Sequence, residues 1–269
     1  MNDRFTRQSF LGRDSTEQMA NTTIALVGFG GGGSVILPQL LHMGFRKVKV
    51  FDADEVEDSN THRLAGIIYP DDVVNATPKV DVAKRVAKNI VGECCIETFK
   101  MSWQEGAEYI KECQILIGCV DSYSERDQLE RFCRRHMIAY IDIGMGVKVV
   151  EGEVPQVYGQ VILSMPGQLC MHCMGFLTQI KLNEERSQYG DAGPKAQVMW
   201  SNSGLGSFAV GLAVDLVTDW SRSLRGPVYK VFNFNTGDVV THPRLQFMVS
   251  GECRHYSQAD LGVPVFVPL

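Results

Sequence analysis

The distribution of apolar and polar residues divides the first 146 positions into short apolar runs that alternate with longer amphipathic segments. The apolar runs predict strands, and the segments with apolar residues every three or four positions predict helices. This alternation indicates a mostly parallel sheet with flanking crossover helices, an α/β architecture. The predicted strands cover residues 22–28, 47–52, 95–99, 115–120 and 139–143, and the predicted helices cover residues 33–44, 78–91, 104–112 and 124–136.

After residue 146 the pattern changes to strand-like runs, a polar stretch and one strongly apolar segment. Val, Tyr and Gln interrupted by Gly and Pro favour antiparallel strands or a crossover. The polar stretch predicts a long connection of the kind that is either mobile or functional. The sequence therefore predicts strands or a crossover at 147–169, the connection at 174–200, a buried helix at 203–224 and a hairpin at 228–245.

No shift in composition marks a linker between independent domains, so residues 1–269 are predicted to form one domain. The chain has 269 residues, of which 45% are apolar, which is enough for one large core. Residues 22–146 would form the parallel core of the sheet. Residues 147–269 would extend it with an antiparallel C-terminal portion that holds the crossover and a substrate-binding part.

Charge and hydropathy exclude several partners. The formal net charge is −5 and the isoelectric point is near 5.7, and no strong basic patch is evident, which argues against a nucleic-acid partner. The first thirty residues lack the features of a signal peptide, and no later segment is long and apolar enough to span a bilayer. The sequence therefore predicts a cytoplasmic protein without a membrane partner.

The first candidate for chemistry is the glycine-rich stretch GFGGGGS, which lies between a predicted strand and a predicted helix. Gly28, Gly30 and Gly33 satisfy the G-x-G-x-x-G pattern of a Rossmann-like fold, in which main-chain amides approach a phosphate. Asp52 follows at the end of the next strand, where an acid reaches a ribose hydroxyl. The pattern fits a dinucleotide or ATP, and also a tight turn without a ligand.

Charged residues near the same predicted sheet edge favour a triphosphate, because it needs cations and donors beyond backbone amides. Arg63 and Lys79 would supply positive charge, although each alone is also typical of a solvated surface. Asp121 ends a predicted strand, where a carboxylate would hold Mg²⁺ on phosphates, or alternatively cap the following helix. The acid pair Asp52 and Asp54 and the amide of Asn60 complete this set.

These motifs together resemble the ThiF/MoeB family of adenylyltransferases, relatives of the ubiquitin-activating enzymes. The resemblance implies a homodimer that binds ATP and Mg²⁺ and activates the C-terminal carboxylate of a small ubiquitin-like or sulfur-carrier protein or peptide. The product would be an acyl-adenylate, with release of pyrophosphate. The motifs that carry the resemblance are RFTRQ (4–8), GFGGGGS (28–34), DADEVEDSNTHR (52–63), TPK (77–79), CVDS (119–122) and CMHC (170–173).

The resemblance also implies roles for individual residues. Arg7, in the R-x-x-R-Q element, would reach the triphosphate of the partner protomer, although by sequence alone it is equally a surface charge. The remaining roles are phosphate approach by Gly30, Gly31, Gly32 and Gly33, ribose binding by Asp52, phosphate contacts by Asn60, Arg63 and Lys79, and Mg²⁺ binding by Asp121.

The eight cysteines do not form the pattern of a secreted disulfide framework, and most are predicted to be buried apolar residues. The family places half of a tetrahedral zinc site at the position of Cys170 and Cys173, but its second Cys-x-x-Cys pair is missing here. Cys253 and His255 would have to supply the other two Zn²⁺ ligands, with His172 a weaker candidate. The alternative is a metal-free loop with free thiols.

Residues 174–200 contain no cysteine, so adenylation without a thioester is favoured.

Three other functions fit the sequence less well than adenylation. An ATP-dependent tRNA-base dehydratase of the same family fits the acidic chain poorly. An NAD-dependent dehydrogenase would leave Arg63, Lys79 and Asp121 without a role. A non-catalytic partner that binds a ubiquitin-like protein is disfavoured because every charged position of the predicted ATP site is present.

Overall fold

The computed structural model describes residues 3–92, 96–187, 196–224, 226–247 and 253–256. Within these residues the strands hydrogen-bond into one eight-stranded sheet. The strands are β1 (Thr23–Val27), β2 (Lys47–Phe51), β3 (Ile96–Phe99), β4 (Ile115–Gly118), β5 (Ala139–Lys148), β6 (Gln156–Ser164), β7 (Val228–Asn233) and β8 (Asp238–Thr241).

The sheet combines a parallel half with an antiparallel half. Its strand order is β3-β2-β1-β4-β5-β6-β7-β8, and the pairing is parallel from β3 to β5 and antiparallel from β5 to β8. The strand order reverses between β1 and β4, so the loops after these strands border a crevice where open α/β sheets bind ligands. The predicted Rossmann-like sheet with an antiparallel C-terminal extension is therefore confirmed.

Helices cover both faces of the sheet. Along β1, Ile24 and Leu26 pack on one side with residues of the helices that follow β1 and precede β7, whereas Ala25 and Val27 pack on the other side. This alternation is why the strands are apolar throughout. The helices are α1 (Ser15–Asn21), α2 (Gly31–Met43), α3 (Asp71–Val74), α4 (Lys79–Val91), α5 (Ala107–Ile110), α6 (Tyr123–Arg135), α7 (Gln179–Ser187), α8 (Met199–Thr218) and α9 (Pro243–Phe247), with 3₁₀ segments at Asp3–Leu11 and Asp58–Asn60.

Several predicted elements differ from the observed ones. The helix predicted at 104–112 is reduced to the single turn α5, because the backbone at Gly106 (φ −93°, ψ 14°) is not helical and the helix begins only after it. Helix α7 lies inside the predicted connection 174–200, of which residues 188–195 are outside the described residues. The buried helix predicted at 203–224 is α8, which begins earlier, at Met199, and ends at Thr218. The predicted hairpin is confirmed as β7 and β8.

Among the residues that the structure describes, no helix has the length and apolar character needed to cross a membrane.

Candidate functional site

The turn between β1 and α2 closes tightly because its glycines lack side chains. Gly28 has a φ of +88°, and a Cβ there would lie 2.8 Å from the carbonyl oxygen of Cys119. A Cβ on Gly33 would collide with the carbonyl oxygen of Gly28. Both positions therefore require glycine, and the turn directs the N-terminus of α2 toward the crevice. Gly33 packs behind the turn, and it does not line the crevice as the resemblance implies.

Two adjoining cavities form a cleft at this point. The strand-side cavity, of about 330 Å³, lies between α2, the loop after Asp58–Asn60, β5 and the start of α8, and the acid-side cavity, of about 300 Å³, lies over the ends of β1 and β2. Three of the predicted residues line both cavities: Gly30, Lys79 and Asp121. The strand-side cavity is also lined by Gly31, Gly32, Asn60 and Arg63, and the acid-side cavity is also lined by Gly28, Asp52 and Asp54.

Asp52 holds the glycine turn from the end of β2. Its carboxylate accepts hydrogen bonds from the backbone N–H of Phe29 at 2.6 Å and of Asp54 at 2.9 Å. Burial raises the pKa of Asp52 above that of an ordinary aspartate, and the Lys79 ammonium and these two N–H groups oppose the rise. The predicted ribose-binding acid is therefore fixed in place by the same turn that would hold the phosphates.

Lys79 reaches the cleft because the residues around it pair with the segment after β2. The N–H of Lys79 donates to the carbonyl of Asp54, and the N–H of Val56 donates to the carbonyl of Thr77. The Lys79 ammonium is buried and donates to the Asp54 carboxylate at 2.7 Å. Helix α4 begins at Lys79 without a side-chain cap, and the Thr77 side chain hydrogen-bonds Asp72.

Asn60 and Arg63 also line the strand-side cavity. Asn60 is buried, and its side-chain oxygen accepts from the N–H of Glu57 at 3.1 Å, which closes a capping box on the 3₁₀ segment. The Arg63 guanidinium donates to the carbonyl of Ser59. These contacts fix the loop backbone, and the cavity lies against both side chains.

Asp121 is an exposed residue three positions beyond the last residue of β4. Helix α6 is capped by Ser122, whose hydroxyl accepts from the N–H of Glu125 at 3.0 Å. The alternative prediction that Asp121 caps this helix is therefore wrong. One Asp121 oxygen accepts from the side-chain amide of Gln197 at 3.2 Å, which connects the segment before α8 to the floor of the cleft.

Among the polar residues of the cleft that sequence reasoning missed are Arg126 and Asn202. Arg126 is buried and donates to Asp142 at 3.0 Å and to the carbonyl of Ile143 at 3.2 Å. Although burial lowers the pKa of Arg126, the Asp142 carboxylate raises it overall, so the guanidinium is a permanent charge beneath the cavity. The sequence signal for Arg126 is its position five residues after Asp121. No sequence feature points to Asn202.

Arg7 lies away from the cleft of its own chain. The 3₁₀ segment Asp3–Leu11 packs at the C-terminal end of α2, where the Gln8 amide donates to the carbonyl of Met43 at 2.8 Å and the Phe5 ring contacts Gly44. The glycine turn is at the other end of this 13-residue helix, which spans about 20 Å. The exposed Arg7 side chain does not join the predicted residues gathered at the cleft.

A second site brings together Cys170, Cys173, Cys253 and His255, whose ligand atoms all lie within 4.8 Å of one another. The Sγ atoms of Cys170 and Cys173 are 3.6 Å apart, and those of Cys173 and Cys253 are 3.8 Å apart. His255 Nδ1 lies 3.5 and 3.3 Å from the Sγ atoms of Cys170 and Cys173. Tetrahedral Zn²⁺ with three sulfur ligands and one nitrogen ligand gives edges of about 3.6–3.8 Å, so the donor set fits this ion.

His172 lies outside that cluster although it stands between two of its cysteines in the sequence. Its Nε2 is 2.7 Å from the Asp127 carboxylate, so its ring turns toward α6. Behind the cluster, the N–H of Met171 donates to the buried Glu130 carboxylate, which also pairs with Arg134 at 2.6 Å. These contacts fix the cysteine turn on α6.

Comparison with known proteins matches this chain to one family and to relatives of several functions. The model of the ThiF family matches residues 3–246. The tRNA threonylcarbamoyladenosine dehydratase 2 of Saccharomyces cerevisiae is 31% identical over 150 residues, which cover 52% of this chain and 33% of the yeast protein. Ubiquitin-like modifier-activating enzyme 5 of Drosophila willistoni is 28% identical over 152 residues, covering 51% of this chain and 36% of that protein. The match thus spans about a third of these relatives.

Solved structures share the fold over nearly the whole chain. Escherichia coli MccB bound to ATP superposes with a TM-score of 0.73 and 17% identity, covering 90% of this chain and 71% of MccB. PaaA superposes with a TM-score of 0.69 and 19% identity, covering 89% of this chain and 81% of PaaA. These similarities confirm the fold, and the family match confirms the resemblance drawn from the motifs. The chain belongs to the ThiF family.

Proposed function

We propose that the protein is an ATP-dependent adenylyltransferase that activates the C-terminal carboxylate of a small ubiquitin-like or sulfur-carrier protein or peptide as an acyl-adenylate. The observation that carries the proposal is the convergence of a helix N-terminus, three cations (Arg63, Lys79 and Arg126) and the carboxylates of Asp52, Asp54 and Asp121 on one cleft. The family supports it, since its relatives include a ubiquitin-like modifier-activating enzyme.

The nucleotide would occupy both cavities. Asp52 would accept the ribose hydroxyls in the acid-side cavity, and the amides at the start of α2 would face the phosphates. Lys79, which lines both cavities, would leave its ion pair with Asp54 and contact a phosphate oxygen. Asn60 and Arg63, which line the strand-side cavity, would also contact phosphates. The exposed Asp121 carboxylate is a suitable oxygen ligand and would hold Mg²⁺.

The reaction requires no general base, because a carboxylate is already ionised and nucleophilic at neutral pH. Its oxygen would attack the α-phosphorus, the bond to the β-phosphate oxygen would break, and pyrophosphate would leave with that electron pair. Bound Mg²⁺ would neutralise charge on the phosphates. Arg63 and Lys79 would stabilise the charge that builds up on the phosphate oxygens, so catalysis would depend on position and electrostatics.

The cysteine and histidine cluster would hold a structural Zn²⁺. Four protein ligands complete a tetrahedral shell and leave no position for a substrate. With Cys170, Cys173 and Cys253 engaged as ligands, none of them would form a thioester with the activated carboxylate. We therefore propose that the acyl-adenylate is the activated product.

The proposal includes a homodimer in the cytoplasm. Arg7 is exposed and remote from its own cleft, which supports a role at the triphosphate of a partner protomer. A second copy of the chain would then complete each site.

A second candidate function is ATP-dependent dehydration of a modified tRNA base, which the name of the yeast relative suggests. It would use the same nucleotide site. The net charge of −5 disfavours it, because an RNA partner would need a concentrated basic surface.

Exchange of labelled pyrophosphate into ATP tests these functions. The purified chain is incubated with ATP, Mg²⁺, labelled pyrophosphate and one carboxyl donor at a time, beginning with small proteins that end in Gly-Gly and are encoded beside its gene. Exchange that depends on such a tail supports carboxylate adenylation, and removal of the terminal residues should abolish it. Dependence on modified tRNA would support the dehydratase instead. Binding of a ubiquitin-like protein without exchange under any condition would indicate a non-catalytic partner.

A further inference from the structure

Asn202 is a buried residue at the cleft whose side-chain amide has an unused donor. It lies in the first turn of α8, is only 4% exposed and lines the strand-side cavity. Its Nδ2 atom has no hydrogen-bond partner among the described residues. Burying an amide donor without a partner costs free energy, so such groups are rare unless a ligand or water completes them.

The Asn202 donor is directed at the glycine turn. Nδ2 lies 2.5 Å from the point that a Cβ on Gly31 would occupy, so only glycine at position 31 leaves room for the amide. Gly31 is the first residue of α2, and the first hydrogen bond of that helix runs from the N–H of Ser34 to the carbonyl of Gly30. The N–H groups that precede Ser34 have no partner within the helix. The amide of α8 and the N-terminus of α2 thus present donors to the same space.

A second residue fixes the approach of α8 to this point. The Gln197 side chain donates to Asp121 at 3.2 Å, and its backbone carbonyl lies 3.2 Å from the His62 ring nitrogen. The segment before α8 is therefore connected both to the loop after β4, through Asp121, and to the loop after β2, through His62. Asn202 follows it by little more than one helical turn, and its position is set by these contacts.

From this geometry we infer that Asn202 binds the nucleotide, donating a hydrogen bond from Nδ2 to a phosphate oxygen held at the N-terminus of α2. Donors that converge at a helix N-terminus select an anion, because the helix dipole favours negative charge there. The inference rests on the proposed ATP site and adds α8, from the second part of the chain, to its walls. Asn202 then contributes to nucleotide affinity through a contact that the glycine motif alone does not provide.

Three variants of the full chain test this inference. Asn202→Leu keeps the branched shape of the side chain and removes the donor, Asn202→Asp places a carboxylate against the phosphates, and Ser203→Ala is the matched control. The Ser203 hydroxyl bonds only the carbonyl of Met199 in its own helix. The measurements are the dissociation constant of ATP with Mg²⁺, by isothermal titration calorimetry, and the melting temperature of the nucleotide-free protein.

We expect Asn202→Leu to weaken ATP binding about tenfold or more, the size of one hydrogen bond to a charged group, and Asn202→Asp to weaken it further. Ser203→Ala should bind like the wild type. The nucleotide-free Asn202→Leu protein should melt no lower than the wild type, because it loses an unpaired polar group. A purely structural asparagine predicts the reverse, a lower melting temperature with unchanged affinity.

Unchanged affinity in both Asn202 variants, with a wild type that binds ATP, would overturn the inference and leave the proposed function intact. A wild type that binds no ATP would overturn both. If Asn202→Leu folds poorly, the isosteric Asn202→Asp decides the matter, because its affinity must fall for Asn202 to be a phosphate ligand.

Discussion

Asp121 precedes helix α6 but does not cap it. Capping of α6 is done by Ser122, and Glu185 accepts from the next two N–H groups of that helix at 2.8 Å each. The helix start therefore does not need the Asp121 carboxylate. Its carboxylate is exposed and lines the cleft, which supports the Mg²⁺ role proposed above.

We expect Asp121→Asn to reduce pyrophosphate exchange by about 10²-fold or more, a loss typical of removing one electrostatic contact to a transition state. The substitution keeps the side-chain oxygen that accepts from Gln197, so the melting temperature should change little. Asp81→Asn, at an exposed position in the first turn of α4, is the control and should retain activity. Exchange by Asp121→Asn at the wild-type rate would remove the metal role.

Residues at predicted strand ends could be placed in the cleft from the sequence, because the carboxyl ends of parallel strands meet at one edge. This logic placed Asp52 and Asp121 correctly. It missed Asn202, since the cleft wall that carries it comes from a helix far along the chain and only the packing of α8 on α2 brings it there. It also gave no sign that Lys79 pairs with Asp54.

At the scale of elements, an ion pair fixes the loop that carries Arg63 to helix α4. The Asp72 carboxylate on α3 is buried, pairs with Arg85 on α4 and accepts from the N–H of Ile68 at 2.7 Å. Although burial raises the pKa of Asp72, the bonds from Arg85 and Ile68 outweigh it and lower the pKa below its ordinary value of 3.8. Ionised Asp72 therefore stabilises the fold above this pH, and the contribution is lost as the pH falls through the lowered pKa.

We expect Asp72→Asn to lower the free energy of unfolding by about 1–3 kcal/mol near neutral pH, because Arg85 loses its charged partner. The difference from the wild type should shrink as the pH falls through the lowered pKa of Asp72, because the carboxylate is then protonated and the ion pair is lost. Urea unfolding at a series of pH values measures this. The exposed neighbour Asp71→Asn should have little effect at any pH. A difference that is independent of pH would show that the pair contributes through packing alone.

Element prediction succeeded where periodicity and packing agree and failed where tertiary contacts dominate. The helix at 33–44 was placed within two residues of α2, whose glycine start and glycine end are both local signals. The start of α8 was predicted late because the polar residues before position 203 read as a loop. The 3₁₀ segment Asp3–Leu11 was not predicted, since its contacts are with the distant end of α2.

At the scale of the whole molecule, one continuous sheet joins the two predicted parts of the chain. Strand β5 pairs with β4 on one side and with β6 on the other, and α8 packs on the same face as α2. This continuity supports the prediction of a single domain. It also explains how the second part of the chain reaches the nucleotide cleft, which the sequence alone could not indicate because the strand order is not the chain order.

The cysteine and histidine cluster brings Cys253 and His255 to the turn that carries Cys170 and Cys173, and a bound Zn²⁺ would fasten the two segments together. We expect the purified protein to contain about one Zn²⁺ per chain and to melt at a lower temperature after treatment with a chelator. His255→Ala should lose the metal, whereas His172→Ala should keep it, because His172 bonds Asp127 instead. Elemental analysis measures both, and a wild type without zinc would support the metal-free alternative.

The remote position of Arg7 makes the proposed homodimer testable through activity. If Arg7 acts on the partner's triphosphate, Arg7→Ala and Asp121→Asn each inactivate every site in their own homodimers. A heterodimer of the two variants has one site with the intact Asp121 of one protomer and the intact Arg7 of the other. An equal mixture refolded together should therefore recover about a quarter of the wild-type exchange activity, since half of the dimers would carry one complete site out of two. Recovery requires both exchange of subunits and action across the interface. If subunit exchange is shown by light scattering or mass spectrometry and activity stays at the level of the parent variants, Arg7 does not serve the partner site.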